Sequence, residues 1–252
     1  MRTFRHAKLM ASTLRTLLAE RGASIGHAES LEIVARQFGL RNWNILAARI
    51  AAAERQETPA ALPKGWSIAG TTPGNYAIGL DAAQSSRTEK IVAISCLFSS
   101  DDPDAARIQN GFGTLMQAVD ARPFIGKRLR FSALLKTRDV PGHATIWMRV
   151  DDKAPDTILF DNLMSRPANG ALTGTSDWTA RQIVFQIPED ADSLHYGLLL
   201  TGMGTVWAKT VRLEVVDDNT PPTATRQHYE RQRRVRRVIE GGPQNLDFSD
   251  IA

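Results

Sequence analysis

One change of hydrophobic period constrains this chain more than any other feature. Through residue 54 the apolar side chains recur every three or four positions, and from residue 65 to residue 217 they recur every second position. The first spacing lines one face of a helix; the second lines one face of a strand. Residues 1–54 therefore predict a helical module and 65–217 an all-β domain. The stretch 55–64, with Pro59 and Pro63 and no periodicity, reads as the linker between them.

In the helical part, Ala7, Met10, Ala11, Leu14, Leu17 and Leu18 share one face of a first helix that Gly22 ends. A second helix follows Gly26, with Glu29 as half of a capping box and Leu31, Val34, Ala35 and Phe38 on its apolar face. Asn42 is placed to cap a third, which buries Trp43, Leu46, Ala47 and Ile50. Helices this short are marginal alone, so the expected product is a packed three-helix module.

In the β part, Leu129, Phe131, Ala133 and Leu135 alternate with Arg128, Arg130, Ser132 and Leu134, and Ile146, Met148 and Val150 alternate with Trp147, Arg149 and Asp151. Ile183, Phe185 and Ile187, and then Val211, Leu213 and Val215, repeat the pattern. Turn signals at 72–74, 101–104, 140–142 and 167–170 separate about nine short runs. The fold class expected is α+β as a chain, a three-helix module followed by an antiparallel β-sandwich of jelly-roll type. Residues 218–252 are polar, with a basic run at 231–237 and a last dozen residues expected to be disordered, so they read as a basic, largely flexible tail.

The net charge of +4 is unevenly spread. Residues 1–56 hold nine Lys/Arg against four Asp/Glu, whereas 57–217 hold sixteen against eighteen. The basic excess sits in the helical head and in the tail. The single cysteine, Cys96, lies in an apolar run and reads as a small buried hydrophobe, since one cysteine makes neither an internal disulfide nor a zinc cluster. No apolar run approaches the roughly 20 residues that span a bilayer, and charged residues interrupt the stretch after the basic N-terminus. A cytoplasmic protein with no membrane partner is expected.

Two resemblances add to this reading. The residues Ala7-Lys8-Leu9-Met10, Leu31-Glu32, Ala35-Arg36-Gln37-Phe38-Gly39, Asn42-Trp43-Asn44 and Leu46-Ala47-Ala48-Arg49 resemble a small bacterial helical domain labelled glyoxalase-related, with Gly26 where that domain usually has Ser. The residues Gly65-Trp66, Tyr76, Arg128, Trp147 to Asp151, Phe160-Asp161-Asn162, Asp177-Trp178, Gly197 to Leu200 and Gly202 to Trp207 are similar to a bacterial jelly-roll domain found beside helix-turn-helix domains. That stretch is similar, more distantly, to carbohydrate-binding modules of galactose-binding-like type. Those modules carry acidic residues where Ala208 and Lys209 stand here.

Candidate site residues follow from the alternation. Trp147 and Arg149 share the strand face opposite Ile146, Met148 and Val150, where they could stack on a sugar or hold a carboxylate; the alternative is a structural pair between Arg149 and Asp161. Asp161, Asn162 and Arg166 follow a strand and could bind hydroxyl groups or form a turn. Gln117 stands in an apolar strand and needs a partner, from a ligand or from a neighbouring strand edge. For nucleic acid, helix-turn-helix proportions point to Arg41, Asn42, Asn44 and Arg49, joined by Arg233, Arg234, Arg236 and Arg237 in the tail. Asp101, Asp102 and Asp104 offer the oxygen ligands calcium prefers but lack EF-hand spacing, and Pro103 suggests a turn; a structural calcium stays open there, while no metal is assigned to the site and no cofactor is expected.

No Ser-His-Asp or Cys-His set and no phosphate-binding glycine loop can be assigned from the sequence. The chain is therefore expected not to be an enzyme. It reads as a binding protein whose sandwich takes a small polar or saccharide-like ligand. Its helical head would engage a protein, DNA or a second copy of the chain. The alternative is a DNA-binding transcriptional regulator, and a third reading is a glyoxalase-type metalloenzyme.

Overall fold

The computed structural model describes residues 7–47, 50, 61–98, 111–224 and 239–251. They fall into two compact units, a helical one within Met1–Thr58 and a β one that begins at Pro59.

The helical unit contains α1 (Ala7–Ala19), α2 (His27–Gln37) and a third helical stretch over 43–47. Gly39 ends α2 in a left-handed conformation (φ 73°), donating to Arg36 O while Leu40 N–H donates to Ala35 O. This is the double carbonyl closure that glycine makes inexpensive at a helix C-terminus. Gly26 caps α2 without a side chain, and Asn42 caps the third stretch by accepting from Ile45 N–H at 3.0 Å. Ala7, Ala11, Val34, Ala35, Leu40, Leu46 and Ile50 form the core of this unit.

Among the described residues the β unit has nine strands, all paired antiparallel: β1 (Ser67–Gly70), β2 (Tyr76–Leu80), β3 (Val92–Cys96), β4 (Phe112–Asp120), β5 (Arg128–Asp152), β6 (Thr157–Asp161), β7 (Leu172–Gln186), β8 (Ala191–Thr201) and β9 (Thr205–Val216). The hydrogen-bonded order is β1-β4-β8-β5-β9-β3-β2, with β6 and β7 also on β5. The long strand β5 serves two layers. Its first half, through Arg138, runs between β7 and β9, and its second half, from Ala144, runs between β6 and β8. The result is a two-layered sheet that nearly closes on itself.

The Val-Pro-Gly signal at 140–142 is thus a bend inside one strand, not a turn between two as expected. Proline removes a ladder donor there. Gly142 lets the backbone pass close to Thr201, where a Cβ would lie 2.5 Å from the Thr201 carbonyl oxygen.

The alternation places the core as expected. Leu129, Phe131 and Leu135 from one layer and Ile146, Met148 and Val150 from the other are fully buried, with Phe131 against Tyr196 at a ring separation of 5.0 Å. Each such side chain contributes about 1.5–3 kcal/mol.

The expectation of a flexible, disordered end is corrected for residues 239–251. Phe248 is fully buried, 5.2 Å from the Trp66 ring. Asn245 O accepts from the Trp66 indole N–H at 3.1 Å, and Lys64 N–H donates to Asp250 O at 2.9 Å. One aromatic anchor holds a segment whose composition is otherwise that of a loop. The basic run 231–237 lies outside the described residues. No helix among the described residues is long and apolar enough to cross a membrane.

Candidate functional site

Trp147 and Arg149 do share the outward face of β5, but that face is closed. Trp147 is only 6% exposed. Its indole N–H donates to the Thr114 hydroxyl at 2.8 Å, and that hydroxyl donates to Leu198 O. Arg149 is paired with Asp151 at 3.0 Å, not with Asp161. Asp151, itself 2% exposed, also accepts from the Thr157 hydroxyl at 2.9 Å and lies 3.4 Å from His195 Nε2. A tryptophan with its polar atom satisfied and an arginine committed to a buried carboxylate form a structural patch. The reading of this face as a ligand surface is therefore corrected.

Gln117 points into the sandwich. Its Oε1 accepts from the Tyr196 hydroxyl at 2.7 Å and from Gln244 N–H at 3.2 Å, and its amide donates to Gln244 O. It clamps the C-terminal segment, so its expected ligand role is replaced by a partner 127 residues away in sequence. Asp161 and Asn162 form the turn after β6, accepting from Leu163 N–H at 2.9 Å and Met164 N–H at 3.1 Å. The second oxygen of Asp161 binds Arg166.

Arg166 leads to the one expected residue that lines an open site. A cleft of about 700 Å³ lies on the outward face of β5, β7 and β9. Strand pairing sets Arg130, Ser132 and Leu134 of β5 beside Gln182 and Ala180 of β7 and beside Arg212 and Glu214 of β9. A bulge opposite Ser132 and Leu134, with Thr210 at φ 52°, shifts the register on the β9 side. Arg166, Asn169 and Thr223 wall the cleft.

Among the described residues four guanidinium groups face this cleft. Arg130 donates from Nη2 to Glu214 Oε1 at 2.9 Å, and Arg166 is held by Asp161. Arg181 donates from Nε to Gly170 O and from Nη1 to Ala180 O at 2.8 Å. Burial pushes the Arg181 guanidinium below its usual pKa, though arginine stays charged at any physiological pH. Neither Arg181 nor Arg212 meets a carboxylate among the described residues. Continuing along the same face, Lys209 Nζ sits 4.6 Å from the Trp178 ring centroid and 2.9 Å from Glu89.

Arg130, Arg181 and Arg212 were not among the residues that the alternation singled out. The signal was present for two of them, since Arg130 and Arg212 occupy outward positions in well-alternating strands. What brings them together is the β5–β9 register, which spacing alone does not give.

The fold also gathers Ser193, His195 and Asp151, a set that the sequence did not reveal. The Ser193 hydroxyl lies 3.1 Å from His195 Nε2, the same nitrogen that faces Asp151. In a nucleophile relay the serine and the carboxylate occupy opposite ring nitrogens. This arrangement does not match that geometry. Among the described residues no group of three or more His, Cys, Asp or Glu is placed to hold a metal ion. Asp101, Asp102 and Asp104 lie outside the described residues.

In the helical unit Arg41 and Asn44 are exposed, whereas Asn42 is partly buried and occupied as a cap. Arg49, Arg233, Arg234, Arg236 and Arg237 lie outside the described residues.

Comparison with known proteins gives three kinds of likeness. Residues 1–99 match the family described as "Glyoxalase superfamily protein". That description names an enzyme superfamily and corrects the expectation that the chain is not an enzyme. The expectation rested on the lack of a catalytic set in the linear sequence, and spacing alone does not show which distant residues folding brings together. The chain is 36% identical over 160 residues to the "Uncharacterized HTH-type transcriptional regulator YbfP" of Bacillus subtilis (strain 168). The match takes in 64% of this chain, and the chain spans 50% of that relative's length. Because the helical unit lies largely within the first 58 residues, most of this match falls in the sandwich.

Among solved structures, a CBM22-1 xylan-binding domain from Paenibacillus barcinonensis aligns with a TM-score of 0.41 and 13% identity, covering 63% of this chain and 90% of that one. A "Family 16 Carbohydrate Binding Module-2" aligns at 0.42 and 16%, covering 60% and 91%.

Proposed function

We propose that the β unit is a jelly-roll ligand-binding domain that takes a small polar, saccharide-like ligand in the cleft on β5, β7 and β9. The observation that carries this reading is the cleft itself. Its volume of about 700 Å³ falls in the range of roughly 300–1,000 Å³ typical of small-molecule sites. It has an apolar floor at Leu134 and Ala180, with hydroxyl, amide and guanidinium groups around it. An Ala180→Trp variant tests the reading, because Ala180 is exposed and an indole there fills the cleft without touching the core. Binding of the saccharides that the wild type retains on a glycan array is expected to disappear. Unchanged binding by a folded Ala180→Trp protein would overturn the reading.

A second reading is regulation of transcription, favoured by the name of the 36%-identical relative. In that reading the sandwich senses the ligand, and the helical unit with exposed Arg41 and Asn44 contacts DNA. Phosphate contacts make such binding steeply salt-dependent. A gel-shift titration at low salt is expected to show retardation that added salt removes, and no retardation at micromolar protein would end this reading.

A further inference from the structure

The cleft has an electrostatic character that a site for neutral sugars does not need. Of its four guanidinium groups, Arg130 is matched by Glu214 and Arg166 by Asp161. Arg181 and Arg212 have no carboxylate among the described residues, so two positive charges remain in one concave space. Arg181 is the more telling of the two. It is half-buried, and two of its five N–H groups are spent on the carbonyls of Gly170 and Ala180, which fixes the plane of the fork. A guanidinium taken partly out of water, oriented by carbonyls and given no counter-charge lacks the compensation that buried cations usually have. A two-oxygen anion seated on the remaining N–H groups supplies it. Around this point Ser132, Gln182 and Asn169 offer neutral donors and acceptors suited to hydroxyl groups.

We propose that the ligand of this cleft is anionic, a carboxylate, phosphate or similar oxyanion carried on a hydroxylated body, with Arg181 and Arg212 as the groups that select it. This rests on the reading of the cleft as the ligand site and names the class of ligand it takes. Over 57–217, the stretch that holds every strand described, sixteen Lys/Arg stand against eighteen Asp/Glu, so a general excess of positive charge in that stretch does not account for the two unmatched guanidinium groups.

The test is calorimetric titration of the full chain with four probes: trigalacturonate, its fully methyl-esterified form, glucose 6-phosphate and glucose. At least one anionic probe is expected to bind about tenfold or more tightly than its neutral counterpart, with affinity falling as salt rises. Preference for trigalacturonate assigns the anion as a sugar carboxylate; preference for glucose 6-phosphate assigns it as a phosphate. Arg212→Gln and Arg181→Gln should each remove about tenfold of the anion's affinity and weaken the neutral probe by clearly less, so that the preference for the anion shrinks. Arg212 is exposed, so that variant keeps the fold, and its melting temperature checks this.

Equal binding of charged and neutral probes, abolished by Ala180→Trp, would overturn the anion class while leaving the cleft as the site. Anion binding that survives both arginine variants would also overturn the inference. Silence from all four probes would overturn it together with the reading of the cleft.

Discussion

The two outward faces of the sandwich are made from the same alternation and end in opposite states. On the face of β4, β8 and the second half of β5, Trp147, Thr114, Asp151, His195 and Ser193 point away from the core and are buried nonetheless. On the face of β7, β9 and the first half of β5, Arg130, Ser132, Arg212 and Glu214 point outward and line an open cleft. Each face has a tryptophan and arginines. The difference is in the partners. Trp147 and Arg149 have theirs within the sheet, whereas Arg181 and Arg212 meet no carboxylate among the described residues. An outward-pointing residue is a candidate for binding only if nothing in the fold already covers and satisfies it.

Truncations on the two faces should therefore differ most at the tryptophans. Trp147→Ala removes a buried ring and strips the Thr114 hydroxyl of its donor, and a loss of about 3–5 kcal/mol is expected in urea denaturation. Trp178→Ala, on the cleft face and partly exposed, should cost less than about 1 kcal/mol. Equal costs would erase the distinction between the faces.

Charged residues sharpen the same contrast. Asp151→Ala leaves Arg149 and His195 without their carboxylate in a closed patch and should destabilise by about 3 kcal/mol, read from the denaturation midpoint. Arg212→Gln should stay within about 0.5 kcal/mol of the wild type.

Alkaline pH probes the closed interior by another route. Burial, with a smaller contribution from nearby Cys96, raises the Tyr76 phenol to about 12, and burial raises Tyr196 further. Their folded-state values lie above the unfolded value near 10. The associated stability is thus fully present below about pH 10 and is lost as the pH climbs toward 12. A fall in the urea midpoint across that window is expected, and Tyr76→Phe should flatten part of it. A midpoint independent of pH there would contradict the burial of these phenols.

Much of the fold was legible because it depends on local pattern. The alternation at 128–135 and 146–150 gave the core, and Asn42 and Gly39 gave helix ends that the structure retains. What was not legible depends on pairing at a distance. The bend at 140–142 looks like a turn because proline and glycine serve both, and only the change of partner from β9 to β8 separates the two cases. Phe248 is one apolar residue in a polar stretch, and its pocket beside Trp66 is formed by residues nearly two hundred positions earlier. Gln117 was recognisable as a buried amide, but its partners, Tyr196 and Gln244, are not local. Of the residues first chosen for a ligand, only Arg166 borders the cleft.

Ligand is expected to enter the cleft on β5, β7 and β9 and not the patch around Trp147. Hydrogen–deuterium exchange of the full chain separates the two, measured with and without a saturating amount of each of the four titration probes in turn. With a probe that binds, slowed exchange is expected at 130–134, 178–182 and 209–214 alone, with 145–151 and 193–199 unchanged. Protection centred on 145–151 and 193–199, or none at all, would contradict it.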